Sequence, residues 1–244
     1  MTRFFVEREA FLSDTPVLTG ENGKHAAVLR LKAGEQVILC DGAGAERLCR
    51  ILSSSSSETV LEAGDIHASV TEPRIKVSVY MAYPKADKLE HVIQKATELG
   101  AAEIVAFPSA RCVSRPEEKS LGKKRERWQR IAQSAAEQSG RGRIPDVILL
   151  GSWREALYRA KEAELGILFY ENERALTLSQ ALNAGTYRSI SLLSGPEGGL
   201  EEREVEDARS AGLTVCTLGK RILRCETAPL AALTAALLLT GNLE

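Results

Sequence analysis

The spacing of apolar residues changes near Pro73. Before it, apolar positions fall in short runs, and Arg3 to Val6, Gln36 to Cys40, Glu46 to Leu52 and Thr59 to Glu62 each predict a strand. Asp41-Gly42, between the second and third, is a hairpin-turn signal. Ser53 to Ser57, serines with nothing to bury, predict the loop that joins the third to the fourth. Beyond Pro73 strands alternate with helices. Ile75 to Met81 predicts a buried strand, and Leu89, Val92, Ile93, Ala96 and Leu99 recur at helical spacing. Asp87 is placed to cap that helix and Gly100 to end it. Ile104 to Phe107 predicts the next strand, closed by Pro108, and Trp128, Ile131, Ala132 and Ala135 make the apolar stripe of a longer helix. Strands follow at Val147 to Leu150, Gly166 to Tyr170, Ser189 to Leu193 and Thr214 to Thr217, with helices between. The pattern predicts an α/β fold with a mostly parallel sheet, preceded by a small β-rich domain. The boundary falls near Glu72 to Arg74, dividing the chain into 1–72 and 73–244.

The last predicted helix differs from the rest. Thr227 reads as its N-cap, with Pro229 in the first turn where a missing N–H does no harm. From Leu230 to Leu239 it is apolar nearly all round, which predicts burial on every side, within the domain or at a subunit interface.

Composition narrows the function classes. The 244 residues, 44% hydrophobic and 27% charged, are those of an ordinary globular protein. No apolar run reaches the roughly 18 residues that span a bilayer, and the N-terminus lacks the pattern of a signal peptide. Five cysteines without CxxC pairing and only three histidines give a metal site little support, and predict reduced thiols in a cytoplasmic protein. The net charge of −1 hides an asymmetry. Residues 111–143 hold ten Lys or Arg against four Glu, whereas residues 1–72 hold seven against eleven acids. Such a basic segment points either to a polyanionic partner or to a solvated helix flank.

Candidate chemistry concentrates in two glycine-bearing loops, Leu193-Ser194-Gly195-Pro196-Glu197-Gly198-Gly199 and Leu218-Gly219-Lys220-Arg221-Ile222-Leu223-Arg224-Cys225-Glu226-Thr227-Ala228. Each follows a predicted strand and leads into a helix, where α/β proteins build ligand sites. The first is not a P-loop, since no Gly-Lys-Ser/Thr follows, and it is not GxGxxG. Gly42-Ala43-Gly44 fails the same test, because Arg47 occupies the third glycine position. Glu201, Glu202, Glu204, Glu206 and Asp207 after the first loop disfavour pyrophosphate and suit a neutral or cationic ligand such as an adenosine derivative. The bland alternative is a tight turn needed only for packing. Arg224 is either a structural pairing partner or a functional cation.

Together the two loops and the apolar last helix resemble the SPOUT class of S-adenosylmethionine-dependent RNA methyltransferases. Further motifs, in the same order along nearly the whole chain, are similar to the RsmE family, the 16S ribosomal RNA uridine-N3 methyltransferases. They include His25-Ala26-Ala27-Val28-Leu29-Arg30, Lys85-x-Asp87-Lys88, Lys95-x-x-Glu98-Leu99-Gly100, Lys124-x-Glu126-Arg127-Trp128 and Ala136-Glu137-Gln138-Ser139-Gly140-Arg141. Two departures stand out: Cys112 follows Arg111 where the family usually has Ser, and the N-terminal domain is net acidic.

The resemblance implies a PUA-like β-barrel over 1–72, a SPOUT domain with a trefoil knot over 73–244, and a homodimer with the last helix at its interface. It implies S-adenosyl-L-methionine held by Glu171, Leu193, Ser194, Gly195, Glu197, Gly198, Gly199, Leu218, Gly219, Ile222, Leu223, Arg224, Thr227 and Ala228. Arg224 would stabilise the developing uracil anion, and Glu226 or Glu197 would take the N3 proton through a water or serve only as a pairing residue. Arg111, Arg115, Lys123, Lys124, Arg125, Arg127, Arg141 and Arg143 would hold phosphates of 16S ribosomal RNA or of the assembled small subunit. Trp128, on the apolar stripe, reads as core rather than as a stacking platform. Two rivals stay open: a SPOUT enzyme acting on a ribose 2′-oxygen or another base, and a non-catalytic ribosome-assembly protein.

Overall fold

Each run that predicts a strand forms one, most of them ending within a residue or two of the expected limits. The computed structural model describes residues 1–116 and 118–243, and the chain divides into two units. One holds Met1–Glu72 with Ala136–Ile144, and the other holds Pro73–Ala135 with the chain from Pro145 onward.

The first unit contains β1 (Arg3–Phe5), α1 (Arg8–Leu12), β2 (Val17–Leu18), α2 (Gly20–Val28), β3 (Gln36–Cys40), β4 (Ala45–Ser54) and β5 (Thr59–Ala68). The sheet order is β1-β3-β4-β5-β2, with β1 parallel to β3 and the other pairs antiparallel. Register shifts after Arg47 and Ile51 bend the long β4–β5 pair. The curled sheet encloses Phe4, Phe11, Leu18, Val37, Leu39, Ile51 and Leu61. Asp41 fixes the predicted hairpin turn, its Oδ1 accepting from the amides of Ala43 (2.8 Å) and Ala45 (2.9 Å). Arg47 is buried and donates to the carbonyls of Phe11, Ser13 and Gly64, a structural use of the residue that breaks the glycine pattern.

The second unit contains β6 (Lys76–Ala82), α3 (Lys88–Leu99), β7 (Glu103–Phe107), α4 (Glu118–Ser139, its last four residues in the first unit), β8 (Asp146–Leu149), α5 (Trp153–Ala160), β9 (Leu165–Phe169), α6 (Leu178–Leu182), β10 (Ser189–Ser194), α7 (Glu202–Ser210), β11 (Thr214–Cys216) and α8 (Thr227–Leu239). The sheet runs β11-β9-β10-β6-β7-β8 and every neighbouring pair is parallel. Helices cover its faces, which is why its strands read as continuous apolar runs. The chain builds outward through β6, β7 and β8, then returns to lay β10 between β9 and β6. Crevices at the carboxyl ends of strands open where strand order reverses in this way.

Three local expectations need correction. Asp87 flanks α3, but its backbone (φ −94°, ψ 7°) is not extended and its carboxylate caps no amide. Thr227 is not an N-cap either. It is the first residue of α8, and the Arg224 carbonyl accepts the amides of both Thr227 and Ala228 at 2.9 Å, so backbone does the capping. Lastly, α8 buries Pro229, Ala232, Leu233, Ala236 and Leu237, whereas Leu238 and Leu239 are half-exposed in the single chain. Gly100 ends α3 with φ +101°, as expected, and Trp128 is buried in the core with its Nε1 donating to Glu90 at 3.3 Å.

Candidate cofactor site and basic surface

Strands β9, β10 and β11 end side by side, and the loops that leave them enclose a cavity of about 600 Å³. Residues 169–171, 194–199 and 217–225 line it, together with Arg174 and Ala228. The β10 loop is anchored at its start by the Ser194 hydroxyl, which donates to the Tyr80 carbonyl at 3.2 Å. Its glycines are needed for close approach. A Cβ on Gly198 would lie 3.1 Å from Cβ of Arg111, and one on Gly199 would lie 2.3 Å from Oε1 of Glu171. Gly199 also has φ +67°, which L side chains rarely adopt. The β11 loop turns on Gly219 (φ +108°), whose amide donates to the Thr217 hydroxyl at 3.2 Å.

The electrostatics of the two loops meet at Lys88, the first residue of α3. Its Nζ donates to Oε1 of Glu197 at 3.0 Å and lies 3.4 Å from Oε2 of Glu226 and 3.7 Å from Sγ of Cys225. Glu197 also accepts from the Lys85 amide at 3.0 Å. Partial burial alone would raise its pKa, but these donors outweigh it and hold the carboxyl at about 2. Glu226 is lowered by its own amide and by the Cys225 thiol, which donates to it at 3.1 Å. Lys88 is raised to about 12, mainly by Glu197. Burial, reinforced by Glu226, pushes the Cys225 thiol to about 12. Arg224 contrasts with all of these: it is exposed, and among the described residues no group pairs with its guanidinium.

Twelve of the residues expected at the cofactor line the cavity: Glu171, Ser194, Gly195, Glu197, Gly198, Gly199, Leu218, Gly219, Ile222, Leu223, Arg224 and Ala228. Leu193 is instead a fully buried core residue of β10, Thr227 points outward from α8, and Glu226 lies behind the loop against Lys88. Phe169, Tyr170, Arg174, Pro196, Thr217, Lys220, Arg221 and Cys225 also line the cavity. The end of β9 was the signal for the first three, because a strand end beside the two glycine loops belongs to the same crevice.

The basic residues separate into distinct settings. Lys123, Lys124 and Arg125 are exposed on consecutive positions of α4, and Arg127 pairs with Glu90 at 2.8 Å on the same surface. Arg111 donates to the Gly198 carbonyl at 3.1 Å, so it packs against the β10 loop. Arg115 donates to the Ser109 carbonyl, and Arg143 to that of Ala43. Arg141 is a correction: it is 3% exposed and its guanidinium pairs with Glu72 at 2.6 Å, so it presents no charge to a phosphate. Cys112 takes up the serine position as a sulfur acceptor for the Ser109 amide at 3.2 Å. Among the described residues no group of three His, Cys, Asp or Glu is placed to hold a metal ion, and no helix is long and apolar enough to cross a membrane.

Comparison with known proteins decides the family. An RNA methyltransferase domain matches residues 71–237, and an RNA methyltransferase PUA domain matches residues 18–61. Ribosomal RNA small subunit methyltransferase E of Bacillus subtilis is 38% identical over 244 residues, covering 96% of this chain and 95% of that protein. The chain belongs to the ribosomal RNA small subunit methyltransferase E family. The Mycobacterium bovis member is 35% identical and covers 98% of this chain and 92% of its own. The crystal structure of the Neisseria gonorrhoeae member, bound to S-adenosyl methionine, superposes with a TM-score of 0.85 at 33% identity over 98% of each chain. A Legionella pneumophila methyltransferase solved with bound cofactor SAM gives 0.84 at 26% identity over 97% of each.

Proposed function

We propose that this chain transfers a methyl group from S-adenosyl-L-methionine to N3 of a uridine in 16S ribosomal RNA. The observation that carries the reading is the cavity at the ends of β9, β10 and β11, lined by glycines and opening on the unpaired Arg224. The donor set fits the cofactor. A cavity of about 600 Å³ admits an adenosine with its methionine arm. Leu218, Ile222 and Leu223 offer apolar surface to the adenine, and the Glu171 carboxylate is an acceptor for ribose hydroxyls. When bound, the cofactor supplies a sulfonium-activated methyl group.

The protein's tasks are then alignment and charge stabilisation. Arg224, without an internal partner among the described residues, is assigned to balance the negative charge that develops on a uracil carbonyl oxygen as N3 loses its proton to solvent. Glu197 and Glu226 are poorly suited to take that proton. Both are held below the usual carboxylate range, Glu197 at about 2, and lowering a carboxylate's pKa weakens it as a base. Their assignment here is positional. The exposed cations of α4, Lys123, Lys124, Arg125 and Arg127, are assigned to the phosphates of the RNA, and the PUA-like unit to a secondary RNA contact. The target base must be unpaired or flipped, because N3 lies inside any Watson–Crick pair. The half-exposed Leu238 and Leu239 support a homodimer with α8 at its interface. A ribosomal substrate and five free cysteines support a cytoplasmic setting. Threading of the last segment as a trefoil knot belongs to the same reading.

Methyl transfer from labelled S-adenosyl-L-methionine to small subunits lacking native modifications, followed by nucleoside mass spectrometry, tests the proposal. The expected product is 3-methyluridine, with kcat reduced roughly 10²–10³-fold by Arg224→Ala, the loss typical of one preorganised charge-stabilising group. A 2′-O-methyl product would discard the substrate assignment. Cofactor binding without transfer to subunits or free RNA would favour the assembly protein.

A further inference from the structure

We propose that Lys88 is a positioning residue that ties the two cofactor loops together from behind the cavity. The inference rests on the reading that the cavity holds S-adenosyl-L-methionine. Lys88 does not line the cavity, yet its ammonium contacts both loops that do. It donates to Glu197 of the β10 loop at 3.0 Å and lies 3.4 Å from Glu226 at the end of the β11 loop. These residues are separated by more than a hundred positions from Lys88 and come together only in the folded sheet.

The alternative for these groups is unfavourable. Without the ammonium, two carboxylates face each other across a gap that a single cation now spans, and like charges at such range repel. The Lys85 amide and the Cys225 thiol satisfy part of the carboxylate oxygens, but neither joins one loop to the other. Among the described side chains, Lys88 is the one that pairs with carboxylates of both loops. It is rigidly presented, because it opens α3, whose Leu89, Val92, Ile93 and Ala96 are buried in the core. The side chain of Lys88 is 29% exposed and those of Glu197 and Glu226 about as much, so the ties are partly shielded from solvent. Loop separation would widen the cavity between Gly195–Gly199 and Leu218–Arg224, and the cofactor would then have to supply the closing free energy itself. The consequence is a loss of cofactor affinity rather than of the chemical step.

Titration calorimetry with S-adenosyl-L-methionine on the full-length chain, alongside methyl-transfer kinetics, tests this. Lys88→Met is expected to raise the Kd and the cofactor KM about tenfold, with kcat held within about twofold, the pattern of lost ground-state binding. Lys88→Arg keeps a cation in place and should recover most of the affinity. Glu197→Gln cuts the same tie from the other side, and the double variant should be no weaker than the worse single one, since coupled residues are not additive. If Lys88→Met fails to fold, Lys88→Gln, which keeps a polar side chain without the charge, carries the same expectation. Wild-type affinity in folded Lys88→Met, or losses that simply add, would overturn the inference. A wild type that binds no S-adenosyl-L-methionine would overturn the cofactor reading and this inference with it.

Discussion

Arg224 and Lys88 are cations of the same site held in opposite ways. Among the described residues Arg224 has no internal partner, whereas Lys88 is committed to two carboxylates. Glu197 gives this arrangement a pH signature. Its folded-state pKa, about 2, lies below the ordinary 4.5, so its contribution to stability is full above about pH 4.5 and drains away as pH falls towards 2. Urea unfolding of wild type and Glu197→Gln across that range should show a stability gap that closes on acidification; a gap independent of pH would contradict the pairing. At this scale the sequence is only partly legible. The glycines and Arg224 announce themselves by type and spacing. Lys88 sits in a recognisable motif, but its partners lie 109 and 138 positions away, and nothing local names them. Arg141 misleads for the same reason: charge counting cannot see Glu72, 69 positions upstream.

At the scale of elements, legibility follows the strength of the apolar pattern. The strands of the parallel sheet are buried on both faces and read as unbroken runs. The helices α1 and α2 did not, because α1 buries only Phe11 and α2 only Gly23 and Ala26, too little for a periodic stripe. The last helix reads as buried nearly all round because every position from Ala228 to Leu239 except Thr234 is apolar. In the single chain one face is left uncovered, and a second copy is the occupant the reading assigns to it. Leu238→Glu with Leu239→Glu should therefore turn a dimer into a monomer in sedimentation equilibrium without lowering helix content. A monomeric wild type, or a variant that stays dimeric, would remove α8 from the interface.

For the molecule as a whole, a net charge of −1 is the sum of an acidic N-terminal segment and a basic stretch centred on α4. RNA affinity carried by that stretch must fall with salt through counterion release. Replacing Lys123, Lys124 and Arg125 by Ala should weaken binding to small-subunit RNA and reduce the slope of log K against log salt by about 2. An unchanged slope would move the phosphate contacts elsewhere. The central claim concerns the cavity at the three strand ends, and one measurement addresses it most directly: calorimetric titration of S-adenosyl-L-methionine into wild type and Gly199→Val. A side chain there is held at φ +67°, which L residues rarely adopt, and must displace the Glu171 carboxylate. The account predicts one cofactor per chain for the wild type and an affinity at least about tenfold weaker for the variant, the scale of 1–3 kcal/mol of local strain. A folded Gly199→Val that binds as tightly as wild type would show that the cofactor lies somewhere else.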